Sequence, residues 1–332
     1  MKHNEIIYEK NGKVILLDQT KLPFKFEYLT LINYHETANA IKNMNVRGAG
    51  TIGIAAAYAM AQAFSEFSEK TKILKAKAEI ESTRPTAQNL FYSTNLVYSK
   101  AILSNNPKKM AWEIANNILK NDIHNSKLIG KIGAELIEDG FGILTHCNAG
   151  KLAIQGYGSA TAPIYLAFEN GKKNIFVFVD ETRPRLQGSR LTAWELAYSK
   201  IPHAIIVDNA AGYYMQKKKI DIVFVGADRI SVNGDVANKI GTYEKAVVAK
   251  ENNIPFYVAA PSSTIDMKCK TGNEIIIEER ESREVREVFG KQVANGKSKI
   301  LNPAFDVTPA KYINGIITEN GIFKPSELIT KL

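Results

Sequence analysis

The second half of the chain carries the feature that most limits its fold. Five short apolar runs recur there: "FGILTH" from Phe141, "NIFVFVD" from Asn174, "HAIIVD" from His203, "DIVFVGAD" from Asp221 and "IPFYVAA" from Ile254. Helical patterns separate them, and each run ends in a polar or glycine-rich stretch. Strands that alternate with helices imply right-handed βαβ units and a parallel sheet. Runs that are apolar throughout suit strands covered on both faces. In such a sheet, ligands bind beyond the carboxyl ends of the strands. The residues expected there are His146, Cys147, Asn148, Ala149 and Gly150 after the first run, and Asp180 to Pro184 after the second. Asp208 and Asn209 follow the third, and Asp228 and Arg229 the fourth.

The first half has a different character. "KVILLDQTKLPFKFEYLTL" holds two β-like runs around Leu22-Pro23, a hairpin pattern. Helical patterns then run from Glu36 to about Asn125, with Thr37 as the expected first cap. "STRPTAQNLFYSTNLV" interrupts them, and Pro85 suits the first turn of a helix with Arg84 just outside it. The expected organisation is α/β: residues 1–125 form a mainly helical cap with a short β start, and residues 126–332 a Rossmann-like, doubly wound domain.

Within the helical half, Gly48-Ala49-Gly50-Thr51-Ile52-Gly53 is a literal G-x-G-x-x-G. The dinucleotide fingerprint follows a strand, opens a helix and meets an acidic residue about twenty positions on. Here a helix opens, but a helical pattern precedes it, and Glu66 and Glu69 lie in a charged helical run. Two readings stay open: a turn that offers Arg47 and helix N–H groups to an anion, and a tight corner where glycine permits close helix packing.

Composition excludes several classes. The chain has 332 residues, 45% hydrophobic and 23% charged, which suits a globular protein of about two domains. "MKHNEIIYEK" reads as no signal peptide, and no apolar run reaches the roughly 18 residues of a membrane helix. Two cysteines, Cys147 and Cys269, make a disulfide framework unexpected, so a cytoplasmic location is expected. The net charge is +9, but the lysines are scattered, acids interrupt them, and no nucleic-acid motif is present.

Several residues have a chemical and a structural reading. Cys147 sits between a strand and a helical pattern, where a helix N-terminus lowers a thiol pKa and yields an acid–base group or nucleophile. Its structural reading is a small buried hydrophobe. Adjacent His146 points the other way on an extended chain, and "HC" lacks a second ligand pair for a metal. Asp228 at a strand end suits a carboxyl with a raised pKa that donates a proton; otherwise it pairs with Arg229 or caps a helix. Lys239 beside Asn238 suits a phosphate or sugar hydroxyl, or is a surface lysine. Gln187 suits a sugar hydroxyl, or meets water in a loop. Cys269 among lysines reads as incidental.

Taken in order, "VRGAGTIGIAAAYAMA", "STRPTAQNL", "THCNAG", "ETRPRLQGSRLTAWEL", "VGADRISVNGDVANKIGTYEKAVVAK", "IPFYVAAPSSTID" and "NPAFDVTPAKYINGIITENG" resemble the methylthioribose-1-phosphate isomerase family of methionine salvage. That family also includes ribose-1,5-bisphosphate isomerases and regulatory subunits of a translation initiation exchange factor. The resemblance covers about Asn45 to Gly321. It implies an aldose–ketose isomerase with Cys147 and Asp228 as catalytic pair. It implies substrate binding by Arg47, Gly48, Ala49, Arg84, Gln187, Asn238 and Lys239. It also implies a homodimer acting on a small sugar phosphate, with no metal or nucleotide cofactor and no nucleic-acid or membrane partner. Two departures mark this chain. "RGAG" stands where the isomerases usually read "RGAP" and the bisphosphate isomerases often read "RGAG". Lys151 follows "HCNAG" where small residues are usual. A second phosphate would need an added cation, for which Lys151 is the expected candidate. The regulatory alternative predicts loss of the acid–base pair, and both members are present.

Overall fold

The computed structural model describes residues 5–85 and 87–331. Strands β1 (Ile7–Lys10), β2 (Lys13–Leu17) and β3 (Tyr28–Leu31) form a small antiparallel sheet. The expected hairpin is present as β2 and β3, with Val14 opposite Leu31, and β1 adds a strand on the other side of β2. Five helices follow: α1 (Tyr34–Lys42), α2 (Ala49–Glu66), α3 (Lys70–Ser82), α4 (Gln88–Ala101) and α5 (Pro107–Ala134). The alanine-rich α2 is buried along nearly its whole length and forms the axis on which α1, α4 and α5 pack. Small side chains let these helices approach closely. Cβ atoms built at Gly50 and Gly53 would crowd Asp122 on α5 and Ser93 on α4.

Two local expectations are corrected. The cap of α1 is Asn33, whose side chain accepts from the Glu36 N–H. Thr37 is instead buried in the helix and donates to Gln62 Oε1 at 2.7 Å. Pro85 does not open a helix: it lies in a turn, and α4 begins at Gln88 after Ala87.

The second half alternates as expected: β4 (Gly142–Thr145), α6 (Ala162–Glu169), β5 (Phe176–Asp180), α7 (Ala193–Tyr198), β6 (His203–Ile206), α8 (Ala211–Gln216) and β7 (Ile222–Val225). Then come β8 (Arg229–Ser231), β9 (Val236–Lys239), α9 (Thr242–Glu251), β10 (Phe256–Ala259) and β11 (Ile265–Asp266). The chain ends with a small hairpin, β12 (Glu287–Val288) and β13 (Lys291–Gln292), followed by β14 (Phe305–Thr308), β15 (Gly315–Thr318) and β16 (Gly321–Phe323).

The seven-stranded main sheet has the order β16-β15-β10-β7-β4-β5-β6, parallel except for β16. The chain winds from β4 outward to β6, then returns to β7 on the other side of β4. The order therefore reverses between β4 and β7, and ligands of doubly wound sheets bind at such a reversal. A second sheet, β11-β8-β9-β14, grows from the carboxyl end of β7 and roofs this edge.

Candidate active site

Cys147 leaves β4 two residues beyond its end, and Asp228 leaves β7 three residues beyond its end. The reversal point therefore brings them to one crevice. Two small cavities of about 50 Å³ each meet there. Between them they are lined by Cys147, Asp228, Arg47, Gly48, Ala49, Arg84, Gln187, Asn238 and Lys239. Every residue expected at the site is thus brought to one cleft, with Arg47, Gly48 and Asp228 on both sides of it. A larger cavity, about 930 Å³ between α4 and β11, holds none of them.

The cleft has two chemical halves. Around Ala149, Ala153, Ile154 and Ala227 it is apolar. The other half gathers Arg47, Arg84, Lys239, Arg185 and Arg280. Arg280 is held by Glu278 and Glu284, and Arg185 by Glu284. Among the described residues no carboxylate ion pair engages Arg47, Arg84 or Lys239. Arg84 Nε and Nη1 are buried without a hydrogen-bond partner, as is Gln187 Oε1. Buried polar atoms are seldom left unpaired, and both residues line the cationic half of the cleft.

Electrostatics follow from enclosure. Burial pushes the Asp228 carboxyl up, against the pull of Lys239, Arg84 and Arg47. This is the direction expected of a carboxyl that holds a proton. Burial also pushes the Cys147 thiol up, with Arg47 and Lys239 opposing. The expected lowering by a helix N-terminus is corrected: residues 148–161 are turns, bends and irregular backbone, and α6 begins only at Ala162. Burial lowers Lys239, whose Nζ donates to the Ala304 carbonyl at 2.6 Å and lies 4.4 Å from the centre of the Phe305 ring.

Cys147 itself sits at φ 66°, in the left-handed region. Hydrogen bonds hold it there. Its N–H donates to Thr182 Oγ1 at 2.9 Å, and its carbonyl accepts from Thr192 Oγ1 at 2.6 Å. His146 points away from the thiol, as expected, into a buried network with Asp180 at 2.8 Å and the Ile240 carbonyl at 2.9 Å. His146, Asp180 and Asp208 lie close enough to share a metal ion. Both His146 nitrogens and both Asp208 oxygens already have partners, Asp208 accepting from the Thr182 and Arg183 N–H groups at 2.7 Å each, whereas Asp180 Oδ1 is buried without one.

The glycine loop bears out its packing reading. Gly48 caps α2 at φ 90°, and a Cβ there would fall 2.3 Å from Ala153 Cα. Of the first-turn N–H groups that follow, that of Thr51 donates to the Ala153 carbonyl at 2.9 Å. Gly50 and Gly53 serve helix packing. A Cβ at Gly50 would meet Asp122 Oδ1 at 2.8 Å, so the "RGAG" departure has a physical counterpart in a carboxylate beside the loop. The Lys151 expectation is corrected. Its Nζ lies 4.1 Å from the Tyr165 ring centre and 5.6 Å from that of Tyr157, and Lys151 lines neither half of the cleft.

Sequence reasoning missed the residues that hold the site from behind. Asn148 accepts from Arg47 with both its side-chain and main-chain oxygens, at 2.7 and 3.0 Å. Glu195 lies behind Asn148. The available signal was a single carboxylate in the otherwise apolar "LTAWELAY".

The profile of the Initiation factor 2 subunit family matches residues 45–325. The chain belongs to that family. Within the initiation factor 2 subunit family, it is 52% identical over 326 residues to the methylthioribose-1-phosphate isomerase of Acetivibrio thermocellus, with 95% of each chain covered. Its fold matches a crystal structure of 5-methylthioribose 1-phosphate isomerase from Pyrococcus horikoshii OT3 with a TM-score of 0.90 at 40% identity, covering 100% and 96% of the two chains. It also matches the translation initiation factor eIF-2B, subunit delta, from A. fulgidus, with a TM-score of 0.84 at 41% identity and 98% and 97% coverage. The family thus spans a catalytic and a translational branch on one scaffold.

Proposed function

We propose that the protein isomerises 5-methylthioribose 1-phosphate to 5-methylthioribulose 1-phosphate in methionine salvage, with Cys147 and Asp228 as the catalytic pair. The observation that carries this is a single cleft with a cationic half, an apolar half and an enclosed carboxyl between them. Arg47, Arg84 and Lys239 bind the phosphate, with the N–H groups after Gly48. Gln187 and Asn238 bind sugar hydroxyls. The wall of Ala149, Ala153 and Ile154 receives the methylthio group, whose transfer from water to an apolar surface is favourable.

The anomeric oxygen of this substrate is esterified, so the ring cannot open to a free aldehyde. Asp228, protonated, donates to the ring oxygen as the C1–O4 bond breaks. Hydrogen then moves from C2 to C1 and the 2-hydroxyl gives its proton to the Asp228 carboxylate, which restores the acid and closes the proton count. A thiol raised by burial is a poor base for C2–H, which supports a hydride shift flanked by Cys147. Deuterium from solvent appearing at C1 of the product would sink that route in favour of an enediol.

The bisphosphate alternative needs an extra cation at the thioether end. The expected one, Lys151, is turned onto Tyr165. The decisive experiment offers both sugar phosphates to the purified protein and follows ketose formation by NMR. Turnover of ribose 1,5-bisphosphate alone overturns the substrate assignment.

We further infer a division into a cap, residues 1–125, and a catalytic part, residues 126–332. Helix α5 runs through that boundary as a shared spine. A homodimer is supported by apolar side chains left exposed on and beside edge strand β6: Ile205, Val207 and Tyr213. A cytoplasmic location belongs to the same reading; among the described residues no helix is long and apolar enough to cross a membrane.

A further inference from the structure

Glu195 lies in the middle of α7, buried, and lines neither half of the cleft. Four donors converge on its carboxylate. Asn148 Nδ2 donates to Oε1 at 2.8 Å and the Leu152 N–H at 3.1 Å. The Lys151 N–H donates to Oε2 at 2.7 Å and the Tyr165 hydroxyl at 3.2 Å. Among the described residues no cation pairs with it. Room for the group is made by Gly150, where a Cβ would lie 2.2 Å from Glu195 Oε2.

The chemistry of this contact has a consequence for Arg47. Burial pushes the Glu195 carboxyl up, against the pull of these hydrogen bonds. Oε1 nevertheless takes the obligatory Leu152 N–H donor and so acts as an acceptor whether or not the group is ionised, which selects the NH₂ end of the Asn148 amide. Thr192 Oγ1 accepts from the same NH₂ at 3.1 Å, its own proton being given to the Cys147 carbonyl. With its NH₂ held toward α7, Asn148 presents Oδ1 to Arg47 Nη1 at 2.7 Å, while its carbonyl takes Nη2 at 3.0 Å. A reversed amide would set NH₂ against guanidinium, donor against donor.

We infer that Glu195 is a positioning residue which, by fixing the orientation of the Asn148 amide, holds the Arg47 guanidinium in place for the anionic end of the substrate. The inference rests on the reading of Arg47 as an anion-binding residue. Glu195 touches no substrate. Its removal lets water or a flipped amide take the place beside Asn148 and frees Arg47, at constant charge in the cleft itself.

The test compares full-length wild type with Glu195→Ala, Asn148→Ala and Tyr165→Phe. Calorimetry gives Kd for inorganic phosphate, and steady-state kinetics gives KM and kcat for 5-methylthioribose 1-phosphate. Loss of a hydrogen bond to a charged group raises Kd and KM about tenfold in Glu195→Ala and Asn148→Ala, while kcat changes less. Tyr165→Phe removes one donor from Glu195 without touching Asn148, and is expected to bind as wild type does. General structural damage would instead lower the active fraction and leave Kd unchanged. Wild-type phosphate affinity in Asn148→Ala overturns the relay, and this variant decides the matter if Glu195→Ala does not fold. A loss in Tyr165→Phe as large as in Glu195→Ala also overturns it. A wild type that binds phosphate without isomerising the sugar refutes the proposed reaction, and the relay is then judged by Kd alone. A wild type that binds no phosphate refutes the relay.

Discussion

At the scale of single residues, the site is governed by enclosure. Asp228 has three cations near it and still has its pKa raised, because burial outweighs them. A raised carboxyl is protonated below its folded pKa and loses its proton as pH rises through it. If Asp228 is the acid, kcat/KM is expected to fall on the alkaline side of that pKa. In Asp228→Asn the limb disappears and turnover drops by about 10²–10⁴-fold, the usual share of a general acid. Rates across pH for the two proteins check this, and an unchanged alkaline limb in the variant would assign it to another group. Cys147→Ala is expected to abolish turnover while leaving the melting temperature near that of wild type. That these two residues are candidates was legible in the sequence, since each follows an apolar run. The direction of the thiol shift was not, because it depends on what encloses the group.

At the scale of elements, the corner between α1 and α2 carries the strain. Gly48 has φ 90° and lies against Ala153. Gly48→Ala adds a left-handed conformation and an overpacked methyl, each costing about 1–3 kcal/mol. Thermal melts are expected to show the loss, together with weaker phosphate binding. On the facing helix, Asp122 of α5 is raised from 3.8 to about 7 by burial, with Glu319 adding to it and the Gln155 N–H opposing. The folded state therefore binds a proton that the unfolded state has lost. Its contribution is present below the unfolded pKa and is lost as pH rises from about 4 to about 7. Asp122→Asn keeps the acceptor for Gln155 and removes the titration. Its melting temperature is expected to exceed that of wild type at pH 8 and to match it near pH 4. An equal gain at both values would remove ionisation as the cause.

At the scale of the whole molecule, the cleft is narrow. Its two halves hold about 50 Å³ each, whereas ligand pockets commonly reach about 300–1,000 Å³. A pentose phosphate is therefore expected to need the helical part to move away from the sheet edge, and closure around it would exclude water. Hydrogen exchange is expected to slow on phosphate or substrate binding in residues 46–53, 146–154 and 278–285. Protection confined to the sheet would mean that the helical part takes no share in closure. The exposed apolar edge at β6 belongs to the same scale, and sedimentation of the protein at micromolar concentration tests the homodimer.

The alternation of apolar runs with helical patterns was enough to determine a parallel sheet, because strand burial and helix periodicity are local properties of the chain. The same pattern placed Cys147 and Asp228 at strand ends. It could not show that β4 and β7 are neighbours, which follows only from the direction in which the chain winds. Nor could it locate β15, whose "GIIT" is short and acquires its pairing from β10. Strand β9 likewise depends on β14, about seventy residues later. The relay from Glu195 through Asn148 to Arg47 joins three separate segments, and only packing decides which polar groups meet. Sequence determined the kinds of chemistry available at the sheet edge. Tertiary structure decided which of those groups share a cleft, which way the amide of Asn148 faces, and that Lys151 points elsewhere.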